Sequence, residues 1–147
     1  MNQAFLAPFA EALLAAVVDP TVERNENLLA LVGSDVYGEK PGTPPTKFVV
    51  FDIPFGGRPP AYVHGTVGDP VANWSRFQVT AWATTKYDAI QVMDAVIQAI
   101  EGRDLVVSDA WEPVRLFQRL APQSTTDDIS EQRMYGVFAR YEVLLVT

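Results

Sequence analysis

Residues 75–94, SRFQVTAWATTKYDAIQVMD, pass from a β-strand into an amphipathic helix with almost no break, and this junction decides the fold class. Over Ser75–Thr85 the residues alternate, with Phe77, Val79, Ala81 and Ala83 on one face and Arg76, Gln78, Thr80 and Trp82 on the other. Alternation over that length predicts a half-buried strand. From Lys86 to Glu101 the period becomes helical. Tyr87, Ile90, Met93, Ile97 and Ile100 take one side, and Asp88, Gln91, Asp94 and Gln98 the other,. Gly102 closes the helix. Trp82 is the anomaly, a large aromatic on the polar face. Either the chain's own proline-rich loop covers it or a partner does, and apolar groups gathered on an open sheet face favour the partner.

Outward from this junction, KFVVFDI at 47–53 is rich in β-branched and aromatic residues and predicts a strand buried on both faces,. Between the two strands lies PFGGRPPAYVHGTVGDPVAN at 54–73, whose four prolines and four glycines predict a long flexible loop,. Towards the N-terminus, a helix is expected from Asn2 to Val18 on the spacing of Phe5, Phe9, Leu13 and Val17. A second is expected from Glu23 to Leu31, stopped by Gly33,. DVYGEKPGTPPTK at 35–47 reads as a turn-rich link. Two further strands are expected at Pro113–Leu120 and Gln132–Val146, with a short one at 104–107. In the last, Tyr135, Val137, Ala139, Tyr141, Val143 and Leu145 share one face, opposite Met134, Phe138, Arg140, Glu142 and Leu144. The polar APQSTTDDISEQ at 121–132 reads as a mobile hairpin arm. The order predicts one α+β domain over 1–147: a mostly antiparallel sheet, helices packed on one face, long flexible loops, and a second face without obvious cover.

Composition narrows the chemistry. With 147 residues, 48% of them hydrophobic, the chain can bury a substantial core,. FLAPFAEALLAAVV near the N-terminus is too short to span a bilayer and is interrupted by Pro8 and Glu11, so no membrane association is expected,. Cysteine is absent, which removes disulfides and thiolate chemistry,. A net charge of −7, from 18 acidic against 11 basic residues, opposes tight nucleic-acid binding,.

No catalytic pattern emerges. His64 is the single histidine, too few for an imidazole metal site, and no serine sits in a G-x-S-x-G elbow for it to serve in a triad,. GSDVYGEK at 33–40 begins like a phosphate-binding loop, but Glu39 stands where the lysine belongs and Pro41 blocks the following helix,. Asp52 is the acid expected to be partly buried, with a structural role. Asp127 and Asp128 read as solvated turn residues. No cofactor and no metal is expected. A rival enzyme or small-molecule reading would rest on His64 with Asp69 or Asp52.

The succession of FVVFDI, then RFQVTAWATTKYDAIQVMDAVIQAI, then a final RMYGVFARYEVLLV with Arg140–Tyr141 resembles the tail terminator or tail completion proteins of long-tailed bacteriophages and phage-like particles. The long stretch at 54–74 departs from that pattern. The resemblance implies a non-enzymatic virion component assembled in the host cytoplasm. It would form a homo-hexameric ring on the last disc of the tail tube protein, stop tube growth and meet a head–tail connector protein. DNA would pass through such a ring without specific binding. A connector or stopper on the head side of the neck is the alternative. The expected contact groups are Trp82, Phe138 and the loop residues Arg58, Tyr62 and His64. On this reading Trp82→Ala leaves the monomer folded and weakens oligomerisation.

Overall fold

The computed structural model describes residues 6–53, 75–107, 113–129 and 131–145. Three α-helices, α1 (Leu6–Val17), α2 (Glu26–Val32) and α3 (Lys86–Ile100), accompany strands β1 (Val36–Tyr37), β2 (Lys47–Asp52), β3 (Ser75–Ala83), β4 (Asp104–Leu105), β5 (Val114–Ile129) and β6 (Gln132–Leu145). The strands form one six-stranded sheet in the order β1-β2-β3-β6-β5-β4. Only β1 and β2 run parallel; the other pairs are antiparallel. The fold is therefore α+β with a mostly antiparallel sheet, as the strand-to-helix junction predicts.

The helices cover one face. Phe77, Val79, Ala81 and Ala83 of β3 point into this core with Val49 and Phe51 of β2 and Val137, Ala139, Tyr141 and Val143 of β6. Phe9, Leu13 and Val17 of α1 and Leu28 and Val32 of α2 close it from above. Phe77 is its hub. Its ring lies 5.4 Å from that of Tyr141, nearly parallel at 10°, and 5.9 Å and 6.0 Å from those of Phe9 and Phe51. Burying each such aromatic contributes on the order of 1.5–3 kcal/mol. The Tyr141 phenol is pushed well above its ordinary pKa, first by burial and then by the neighbouring Glu101 carboxylate.

Helix α3 sits on the sheet in a different rotation from the one predicted. Its buried residues are Ala89, Val92, Met93, Ala95, Val96, Ala99 and Ile100, whereas Tyr87 is 68% exposed and Ile90 41% exposed. The small side chains allow close approach between helix and sheet; a stripe led by Tyr87 and Ile90 would hold the helix away. Thr85 caps the helix, its Oγ1 accepting the Asp88 N–H at 3.2 Å,.

Other boundaries also differ. The second helix begins as a 3₁₀ turn at Glu23–Asn25, and Gly33, at φ +60°, ends α2 with its N–H donating to the Leu29 carbonyl,. The link at 35–47 contains β1. The polar segment read as a mobile arm is strand: β5 runs on to Ile129 and pairs with β6 down to Ile129–Gln132. Glu131 makes the turn at φ 66°, a left-handed conformation costing a non-glycine residue about 1–2 kcal/mol,. The expected loop at 54–74, with Trp74, and the region of Trp111 lie outside the described residues.

A polar knot ties the helices together. Asn25 is fully buried; its Nδ2 donates to the carbonyls of Ala16 (2.5 Å) and Asp19 (3.0 Å), and its Oδ1 accepts from Arg103 Nη1 (3.1 Å). Arg103 also donates to the Ala99 and Ala16 carbonyls, so one side chain joins the end of α1 to the end of α3. Arg24 clamps the same corner through the Gln98 and Glu101 carbonyls. Removing Asn25 leaves buried carbonyls and a guanidinium short of partners. Asn25→Ala should cost about 2–3 kcal/mol in a urea titration, whereas the exposed Asn27→Ala should cost under about 0.5 kcal/mol.

Candidate functional site

The second face of the sheet carries Trp82 and Phe138, two of the contact groups singled out in the sequence. Strand register lays its residues in rows. Phe48, Trp82, Gly136 and Thr125 form one row, and Val50, Thr80, Phe138 and Gln123 the next. Asp52, Gln78, Arg140 and Leu120 form a third, and Arg76, Glu142 and Phe117 a fourth. The face thus runs from apolar to charged.

Trp82 belongs to the apolar end and is 4% exposed. Its cover comes from its own chain, which corrects the expectation of an open face at this position. The reason is Gly136. A Cβ on that residue would lie 2.9 Å from Trp82 Cζ3, 3.0 Å from Cε3 and 2.9 Å from Thr125 Cγ2. The missing side chain on β6 is the space that the indole of β3 fills, a cross-strand pairing of aromatic with glycine. Around it Phe48, Val50, Ile129 and Met134 close a second small core, with Tyr37 packed against it. The Phe48 and Trp82 rings stack at 6.4 Å and 21°.

Lys40 completes the cover. Its ammonium lies 4.7 Å from the Trp82 ring centroid and pairs with Asp127 on the β5 arm,. The hydrogen bond from Lys40, then its charge, hold the Asp127 carboxyl below its ordinary pKa. The segment before β2 is thereby fastened across the indole to the arm. Trp82 Nε1 is buried without a hydrogen-bond partner among the described residues, so this packing retains an uncompensated donor,.

Beyond Trp82 the face opens into a shallow groove of about 530 Å³ that also holds Phe138, Asp52 and Arg140. Phe138 is half-buried, and the Arg140 guanidinium stands 5.8 Å from its ring while donating to Gln78 Oε1 at 3.1 Å. Arg119 pairs with Glu142 at 3.1 Å, a carboxylate that is only 7% exposed. Asp52 is exposed, which corrects the expected burial: it ends β2 at the groove rim. Asp127 and Asp128 stand in a strand and pair with Lys40 and Arg133. Trp82 and Phe138 therefore meet in one surface feature, while Arg58, Tyr62 and His64 lie outside the described residues. Sequence reasoning missed Gly136 and Lys40. A glycine inside an alternating strand was the signal available for the first; nothing in the pattern announces the second.

Among the described residues no group of three or more His, Cys, Asp or Glu side chains is placed to hold a metal ion. No protein-family profile matches the sequence, and no curated protein does. A chain in a solved structure described as the virion of a native gene transfer agent particle has the same fold. It shares 21% sequence identity at a TM-score of 0.56, over 92% of this chain and 96% of that one. At that identity the likeness speaks for the fold.

The burial of Trp82 reverses what its substitution should do. Trp82→Ala removes the centre of the second core and should cost about 3–5 kcal/mol in thermal or urea unfolding of the monomer. Trp82→Phe keeps most of the packing and discards the orphan N–H, so it should cost under about 1.5 kcal/mol.

Proposed function

We propose that this chain is a structural component of a phage-like particle, a single α+β domain that assembles as a ring on the end of the tail tube, stops tube polymerisation and joins the tail to the head connector. The observation that carries the reading is the end-to-end likeness in fold to a chain of a gene transfer agent virion, 92% of one chain against 96% of the other. A match of this extent leaves neither chain a large region without a counterpart. It supports a virion protein, and the resemblance in the sequence of elements narrows that to tail termination.

The physical chemistry agrees with such a role. Activity here is adhesion, with no bond made or broken. A net charge of −7 per copy, repeated around a ring, repels phosphates, so DNA traverses the bore without sticking,. Phe138 and the rim of the second-face groove are offered as contact groups, as are Arg58, Tyr62 and His64. Trp82 acts from below, holding the arm and the groove wall in position. The head-side stopper remains the alternative, and capture by purified tail tubes as against portal-side connectors distinguishes the two.

The test is imaging of particles made with and without the gene. Tails of uniform length with the chain present, and tubes several times longer and headless in its absence, are the expected outcome. Tails of normal length joined to heads in its absence would refute tail termination.

A further inference from the structure

We infer that the outer edge of β5 over residues 123–128 is a strand-addition surface, and that it takes the β1–β2 edge of a second copy of this chain. This rests on the ring reading above and specifies how the copies meet.

On its inner side, the 16-residue β5 pairs with β6 down to Ile129–Gln132. On its outer side it meets, among the described residues, only β4, at Asp104–Arg115 and Leu105–Val114, with Leu116 bonded to the backbone of Gly102 and Arg103. From Phe117 onward it has no outer neighbour among the described residues, and every residue from 119 to 128 is exposed or half-exposed. An extended strand in that position turns N–H and C=O groups outward, a template for another strand.

The edge is guarded over its first half and regular over its second. Two register shifts fall there, at Gln118/Leu120 and Leu120/Gln123, and the second contains Pro122, which lacks an N–H. Bulges and proline are the devices that block edge pairing. From Gln123 to Ile129 the register is unbroken, and the run contains neither proline nor glycine. Six residues of regular edge, about 20 Å long, remain presented.

The far end of the sheet supplies the other half. β1 is two residues long and covers β2 only at Val49 and Val50. Edges that are open among the described residues at opposite ends of one sheet would join copies head to tail, the heterologous contact from which closed rings are built. Asp127 and Asp128 on the β5 edge are already paired within the chain, with Lys40 and Arg133, so this edge brings no uncompensated carboxylate to the partner's β2, which Lys47 begins,.

The test is amide hydrogen exchange on the intact chain, comparing the dilute monomer with rings assembled at high concentration or on purified tail tubes. Because the chain has no cysteine, Ser124→Cys copies can also be mixed with Lys47→Cys copies and treated with a short bis-maleimide. The expected result is at least a tenfold slowing of exchange across 123–128 on assembly, with copy-to-copy cross-links between the two variants. Rings that form without that protection or those links would overturn the edge assignment and leave the ring reading standing. Protection that follows tube binding without copy-to-copy links would overturn the choice of partner. Failure to form rings under either condition would overturn both.

Discussion

The indole of Trp82 lying across the bare backbone of Gly136 is the contact on which the second side of the molecule depends. A sheet with helices on one face must either leave its other face to solvent or find cover for it. Here one aromatic side chain, accommodated because its cross-strand neighbour has no Cβ, nucleates a small core that Phe48, Met134 and Ile129 complete. Lys40 lies over it and pairs with Asp127. Two segments distant in sequence, the link before β2 and the arm of β5, are positioned by this one packing event. Among the described residues the buried indole N–H has no partner, so shape, more than hydrogen bonding, sets the arrangement.

The helical face is built differently, with many small contributions packed around the Phe77 hub. β3 presents Val79, Ala81 and Ala83, and α3 answers with Ala89, Val92, Val96 and Ala99. Large residues are concentrated at Phe77, against which Phe9, Phe51 and Tyr141 pack. The difference explains what the sequence revealed and what it concealed. Alternation in β3 and β6 made both of their faces legible, because one face is wholly apolar. In α3 bulk is a poor sign of burial, because close packing on a sheet selects alanine and valine and leaves Tyr87 outside.

The arm was concealed for a related reason. An edge strand with neither face deeply buried needs no hydrophobic alternation, so QSTTDD carries no strand signal of its own and is held by its ladder to β6,. β1 is two residues long and exists through pairing alone. Trp82 is anomalous in its strand, yet the glycine that explains it stands 54 positions later, and only the register brings the two together. The candidate surface was thus legible as a face, with Trp82 and Phe138 both on it, but not as a division into a sealed end and an open groove.

On the proposed reading, association and self-cover fall to different parts of the molecule: edges and groove rim for the former, the Trp82 core for the latter. Fluorescence quenching by acrylamide in a chain carrying Trp74→Phe and Trp111→Phe, so that Trp82 alone emits, tests that division most directly. The account predicts an indole shielded in the free monomer and no further protected by assembly. An indole freely quenched in the monomer and shielded only when copies or tail tubes are added would contradict it.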